Sequence, residues 1–383
     1  MSTVGVEIRH EATDDGGFKL KLFEGEENVA RLAVGRYTMQ VAGAGVTMGG
    51  VADVVAHPAQ RGKGYGAQLL RAAVARMREE RYALSLLFGI SDFYHRFGYT
   101  PVLAEYAVTV SVRHAERFLG EAHAARVRAG ALEDAPALLA LYTRVNASRN
   151  GTLRRTAEKL DPTPKRDVEN WWTHARRILV AEEGGRPAGY AILSGNPAQF
   201  RVTELAVPAE SVVTAGIALV AALTREAVER RLEAVRLPLP PDEPLALLLR
   251  TAGCKVEVTY PANGDGMGRI VDLVALVEAI QPSLAARAAR APAGERPGHL
   301  ELMCRAEGDE PEQRANVALS SGTADRAVKL ALPQQQLCQL VMGYRGLDAI
   351  RWQQPDACTD ADVAALRQLF PEGYPHMWGM DHF

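Results

Sequence analysis

Val54-Val55-Ala56-His57-Pro58-Ala59-Gln60-Arg61-Gly62-Lys63-Gly64-Tyr65-Gly66-Ala67 decides the fold of this 383-residue chain. A β-branched run ends at a proline that cannot extend a ladder, alternating glycines follow, and a helix opens directly behind them. In that helix Leu69, Leu70, Ala73, Val74 and Met77 recur at helical spacing, while Arg71, Arg76, Arg78, Glu79 and Glu80 take the wet side. Gly62, Gly64 and Gly66 let the backbone close around an oxyanion without Cβ clashes. The helix N-terminus then offers unpaired N–H groups and a positive dipole end to a pyrophosphate, with Arg61 and Lys63 adding charge. A Walker loop needs Gly-Lys-Ser or Gly-Lys-Thr at its end, which is absent. A dinucleotide loop follows an N-terminal strand, whereas this one lies behind several strands.

Upstream, Val4–His10 and Phe18–Phe23 alternate, and Val29–Val41 is long and rich in β-branched residues. Gly43 and Gly45 mark a turn before the strand Val46–Ala56, whose end, Val51–Ala56, reads as buried on both faces apart from Asp53. Downstream, Leu84–Phe88 suits a central strand and Tyr106–Val112 alternates. Strands crossed by helices predict a mixed α/β class.

A second unit begins near Leu132. A helix opened by Glu133-Asp134 runs through Arg144, and Arg177–Glu182 and Ala188–Ser194 pair across a Gly-Gly turn. Thr203–Val207, a helix from Ser211 to Arg231, and Leu232–Leu237 follow. That order repeats the first unit, and Phe97–Val102 can be laid on Ala252–Glu257, so an internal duplication is expected. No RxxGxG loop lies between Val207 and Gly216, and Leu249 stands where Tyr94 stands in the first copy. The second copy is therefore expected to be a degenerate scaffold that binds no such ligand. A third stretch is expected to open with a helix over Ile270–Ile280 that stops before Pro282, then a loose Ala285–Pro297 segment. Strands over Leu300–Ala306 and Ala315–Leu319 and helices over Pro333–Met342 and Asp360–Leu369 complete it. The predicted domains are residues 1–125, 126–266 and 267–383.

Composition narrows the function classes. Hydrophobic residues at 47% and charged ones at 23% are those of a globular chain, and a net charge of −2 offers no basic footprint for nucleic acid. The start of the chain has no apolar h-region, and no apolar run reaches about 20 residues, so neither a signal peptide nor a membrane span is expected. Val212–Leu223 reads as a buried helix. Cys254, Cys304, Cys338 and Cys358 are widely spaced, which fits a reducing cytoplasm better than a disulfide framework. No HExxH motif occurs, and His376 and His382 alone do not make a metal site. The aromatic pairs Trp171-Trp172 and Tyr374/Trp378 read as packing rather than substrate platforms.

The strand, Pro58, the loop Arg61xxGly64xGly66, its helix, the strand Leu84–Phe88 and then Tyr94-His95-Arg96-Phe97-Gly98-Tyr99 together resemble a GCN5-related N-acetyltransferase (GNAT). A degenerate second copy, a third domain and a terminal phenylalanine further resemble the enhanced-intracellular-survival (Eis) family. That resemblance implies a sterol-carrier-like α+β fold for the third domain, a homo-oligomer, and acetyl-CoA-dependent acetylation of an amine on a small molecule or protein, with no metal. It also implies that Val54, Val55 and Ala56 present backbone groups to the acetyl and pantetheine arm, the Ala56 N–H polarising the thioester carbonyl. Arg61 would add charge, Gly62, Lys63, Gly64, Tyr65, Gly66 and Ala67 would hold the pyrophosphate, and Gly89 and Ile90 would flank the pantetheine.

Two protons must move. Tyr94 matches the family's general acid, a phenol near pKa ~10 facing a thiolate near ~8.5. The base in that family is the α-carboxylate of the last residue, here Phe383, with His382 as the alternative. The family usually roofs the acceptor pocket with helices between its first two strands, but His10–Gly17 has room for none, so the acceptor side is expected to be open. An acidic mouth made by Asp14, Asp15, Glu24, Glu26 and Glu27 would suit cationic amines, though such charges are more often just a solvated face. A lipid carrier and a non-catalytic acyl-CoA sensor are the rival readings.

Overall fold

The first strand, β1 (Val6–Ala12), is exposed along its whole length and pairs antiparallel with β2 (Phe18–Glu24). The Thr13–Gly17 turn joins them, Thr13 N–H donating to the Gly17 carbonyl at 3.0 Å, so no helix lies between the two strands. β3 (Glu27–Val41) and β4 (Ala44–Ala56) extend the meander. The helix Tyr65–Glu79 then buries Leu69, Leu70, Ala73, Val74 and Met77, the apolar face that its periodicity predicts. It leads into β5 (Leu84–Gly89) and the short β6 (Thr100–Pro101). The computed structural model describes residues 5–121, 125–155, 177–194, 196, 199–292, 296–306, 311–320 and 326–383; Trp171 and Trp172 lie outside them.

The chain next builds β7 (Glu105–Ser111), β8 (Arg126–Ala129), β9 (Arg177–Glu183), β10 (Arg186–Leu193), β11 (Val202–Ala206), β12 (Ala234–Leu237) and β13 (Lys255–Thr259). It closes with β14 (Asp265–Ile270), β15 (His299–Arg305), β16 (Gln313–Ala318) and β17 (Ala327–Pro333). The sheets run β1-β2-β3-β4-β5-β14-β6, β11-β10-β9-β8, β12-β7-β13 and β16-β15-β17, a mixed α/β fold.

Two compact units result: residues 1–103 with 261–375 and Phe383, and residues 104–260 with 376–382. The expected boundaries at 125/126 and 266/267 do not coincide with them, for a reason visible in the pairing. β7 follows the first copy in sequence yet bonds between β12 and β13, whereas β14 follows the second copy and bonds between β5 and β6. The two copies exchange equivalent strands, and a cut at 266/267 would bisect β14. Local geometry supports the duplication. Arg81 and Arg231 both adopt φ 57° at the end of the long helix, with Tyr82 N–H reaching the Met77 carbonyl in one copy and Leu232 N–H the Ala227 carbonyl in the other. The aligned Gly98 and Gly253 are both left-handed, at φ 76° and 85°.

The third stretch departs from its sequence reading. Ile270 belongs to β14, and the helix begins only at Leu273, where the Asp272 carboxylate caps it by accepting from Ala275 N–H at 2.9 Å. It runs through Pro282 to Ala288, buried by Leu273, Leu276, Val277, Ile280 and Leu284 on one side. Residues 261–375 pack as part of the first unit, and no separate sterol-carrier-like domain is indicated.

In the second unit Ala209–Glu229 is long and apolar enough to cross a membrane by composition, but 67% of that stretch is buried within the protein. It is a core helix, as read from Val212–Leu223. Trp378, fully buried, donates its indole N–H to the Asn146 side-chain oxygen at 3.0 Å, a packing role as expected. Beside it the Arg155 guanidinium binds Glu204 at 2.6 Å and Asp381 at 2.8 Å and lies over the Tyr142 ring at 3.7 Å. Tyr190 and Tyr142 donate their hydroxyls to Glu204 and Asp381. Replacing Arg155 by Ala strands two buried carboxylates, so Arg155→Ala is expected to cost about 3–5 kcal/mol. Calorimetric or urea denaturation of the variant measures it.

Candidate active site

β4 and β5 run parallel and bond only through Met48↔Leu84, Gly49↔Ser85 and Gly50↔Leu86. Beyond that point they part. Val51–Ala56 stays on β3 and Leu87–Gly89 stays on β14, so the two facing edges no longer bond to each other. A bulge accompanies the parting: Leu32 alone opposes Asp53 and Val54, and Asp53 takes φ 51°. Val55 is 45% exposed, not buried as its run of apolar neighbours suggests, because its strand has left the sheet interior.

At the mouth of this opening the chain turns through Pro58–Gln60 into the glycine loop. Gly62 and Gly64 adopt φ 85° and 80°, and a Cβ at either would meet nothing within 4 Å. The first is a turn and the second caps the helix Tyr65–Glu79, which has no side-chain cap and no acidic residue in its first turn. The dipole end is left for an anion. Arg61 and Lys63 are exposed there, and the Lys63 ammonium pairs with Glu24 at 3.2 Å, which raises its pKa. The Tyr65 side chain packs into the core, with the Lys63 ammonium 5.7 Å from its ring centre. Across the opening Gly89 ends β5 and Ile90 follows it, 71% exposed.

Tyr94 and Phe383 come to this opening from opposite sides. The Tyr94 ring lies so close over Gly89 that a Cβ there would meet it at 2.5 Å, and it packs edge-on against Phe93 and Tyr99. Burial raises its phenol above the ordinary tyrosine range. The Phe383 ring stacks on Tyr37 at 5.1 Å, meets Phe88 edge-on at 5.7 Å, and sits on Gly50, where a Cβ would strike it at 2.8 Å. Phe88 and Gly89 are successive strand residues and so point to opposite faces of the sheet. Tyr94 therefore stands on the helix face of the opening and Phe383 on the other face. His382 belongs to the second unit, and desolvation lowers its imidazole pKa.

Residues 8–102 match the family described as an acetyltransferase (GNAT) domain. This segment is a GNAT-superfamily domain. Among solved structures, a GCN5-related N-acetyltransferase from Kribbella flavida is 24% identical over 96% of this chain and 89% of its own, with a TM-score of 0.66. A probable N-acyltransferase from Enterococcus faecalis V583 is 16% identical over 99% and 100%, with a TM-score of 0.71. Eis1 from Mycobacterium abscessus is 16% identical over 99% and 100%, at 0.64. These likenesses extend the fold over the whole chain. A search of curated proteins finds no match.

The GNAT domain contains features that the sequence reading passed over. Gly50 pairs with Gly35, and a Cβ at either would strike the Tyr37 ring at 2.7 Å, so the two glycines form the seat on which Tyr37 and Phe383 stack. Consecutive glycines inside a strand, Gly49-Gly50, were the available signal. The acidic mouth is a correction. Asp14-Asp15 and Glu24–Glu27 lie at opposite ends of β2, about 20 Å apart. Asp15 accepts from the Thr13 hydroxyl and from Gly17 N–H, while Glu24 serves Lys63 beside the phosphate loop. No group of three metal-ligating side chains occurs among the described residues.

In the second copy the place of the phosphate loop is taken by protein. The Glu183 carboxylate accepts from the Thr214 hydroxyl, from Ala215 N–H at 3.1 Å and from the Ser211 hydroxyl at 3.4 Å. An internal anion thus occupies the start of that helix. Leu249 is buried within the helix Pro244–Arg250, with no counterpart to the Tyr94 hydroxyl. Titration calorimetry with coenzyme A is accordingly expected to give one site per chain. Gly64→Glu, with charge and bulk against the pyrophosphate, should abolish it; two equivalent sites would overturn this assignment.

Proposed function

We propose that this chain transfers an acetyl group from acetyl-CoA directly to a primary amine of a small molecule or a protein, as a cytoplasmic homo-oligomer of the Eis kind. The observation that carries the reading is the opening between β4 and β5, bordered by an uncapped glycine loop and flanked on its two faces by Tyr94 and Phe383. The pyrophosphate rests on Gly62–Ala67 with Arg61 nearby. The pantetheine lies along the unpaired edge of Val54–Ala56, with Gly89 and Ile90 opposite, and the Ala56 N–H polarises the thioester carbonyl.

The amine lone pair attacks that carbonyl carbon, the C–S bond breaks, and the sulfur leaves as thiolate. Tyr94 gives the thiolate a proton and regains one from solvent. The α-carboxylate that Phe383 carries when it ends the chain takes the proton from the amine, and desolvation or a water relay raises its otherwise weak basicity. A phenol raised by burial stays protonated through the neutral range, so no loss of rate from Tyr94 ionisation is expected below about pH 10.

Thiol release from acetyl-CoA with a panel of primary amines tests the activity. Tyr94→Phe is expected to lower kcat ~10²-fold with KM for acetyl-CoA unchanged, because the hydroxyl acts only as the thiolate leaves. Full activity in that variant would assign the proton to solvent.

Adding residues after Phe383, or deleting it, should each cut turnover while acetyl-CoA still binds. His382→Ala should be mild; a severe loss there would make the imidazole the base. Normal turnover in a C-terminally extended protein would remove the carboxylate from the chemistry.

A further inference from the structure

The segment that follows Tyr94 is held almost entirely from outside itself. Tyr94 opens a four-residue 3-10 helix, Tyr94–Phe97, whose one closing bond runs from Gly98 N–H to the His95 carbonyl at 3.1 Å. A single such turn carries too few bonds to fix a side chain unaided. Its carbonyls are instead met by side chains from the returning chain. Gln335 donates to the His95 carbonyl at 3.0 Å and to that of Tyr99 at 3.4 Å. Gln334 donates to the Gly98 carbonyl at 2.6 Å while accepting from Ile270 N–H at 2.7 Å, which ties the turn to β14. Gln339 reaches the Pro101 carbonyl at 3.0 Å and the Thr100 hydroxyl at 2.9 Å, and Arg269 donates to the Phe97 carbonyl.

We infer that Gln334, Gln335 and Gln339, on the helix Gln334–Met342, with Arg269 on β14, form a clamp that positions Tyr94 for catalysis. The last third of the chain thereby serves the acetyl-transfer site as a positioning element. Neutral amides suit the task. Each offers N–H donors to the backbone carbonyl oxygens of the turn. Gln335 and Gln339 also grip in register, because they lie one turn apart on the helix that Gln334 opens. The inference rests on Tyr94 being the general acid, and it extends that reading to residues far away in sequence.

Gln335 is the residue to test, because it is only half-buried whereas Gln334 and Gln339 are buried. In the full-length chain, Gln335→Ala and the isosteric Gln335→Glu both remove the donor, and Gln335→Lys keeps an N–H donor at similar reach. The first two should lower kcat about tenfold with KM for acetyl-CoA unchanged, and Gln335→Lys should recover most of it. A second readout needs no acceptor: 3-fluorotyrosine at position 94, followed by fluorine NMR, should shift or broaden in the Ala and Glu variants and return towards the parent signal in the Lys variant. An unmoved fluorine signal, or kcat within twofold of the parent in Gln335→Ala, would overturn the clamp. Equal damage from Lys and Ala would do the same by assigning Gln335 a packing role. Absence of acetyl-CoA binding or turnover in the parent protein would instead defeat the proposed function, while the fluorine signal still decides whether the clamp holds Tyr94.

Discussion

β4 and β5 bond for three residue pairs and then part, each staying with the strand on its other edge. β3 keeps Val51–Ala56 and β14 keeps Leu87–Gly89. The inner edge of Val54–Ala56 is therefore left without a strand, and an unmet backbone group is costly unless water or a ligand satisfies it. The bulge at Asp53 and the glycine pair Gly35 and Gly50 serve this parting. The bulge bends one strand away, and the missing Cβ atoms give the Tyr37 and Phe383 rings their seat. The helix face and the opposite face then each receive one candidate proton carrier.

Duplication explains why one chain holds both an open and a filled version of this arrangement. The second copy keeps the left-handed turns at Arg231 and Gly253 and the long helix, so its scaffold is intact. Its helix start binds Glu183, and its strands β11 and β12 lie in separate sheets, so neither the anion site nor the paired edges survive. A carboxylate from the same chain can stand where a phosphate would stand because both satisfy the same orphan donors.

The first copy was legible because its chemistry is local. A glycine loop between a strand and an amphipathic helix is written in consecutive residues, and the apolar period of Leu69 to Met77 is the face that packs. The absence of helices between β1 and β2 followed from the length of one connection. What escaped was set by partners distant in sequence. Asp265–Ile270 reads as neither strand nor helix until β5 and β6 claim it, and Ile270 falls in phase with the following helix by coincidence of period. Pro282 does not end that helix, because packing of Leu276, Ile280 and Leu284 outweighs the lost bond. The acids beside β2 look like one cluster in sequence, yet an extended strand carries them to opposite ends.

The exchange of β7 and β14 sets an order in time. When β5 and β6 leave the ribosome, the strand that belongs between them lies about 160 residues ahead, and at 5–20 residues per second the wait is on the order of ten seconds. During that wait the edge of Leu84–Gly89 stands open, an apolar edge of the kind that invites pairing with another nascent chain. The second copy has no such delay, since β7 is already made when β12 and β13 arrive. The filled half can therefore close its sheet first, and the half with the glycine loop matures only after its neighbour in sequence has been synthesised.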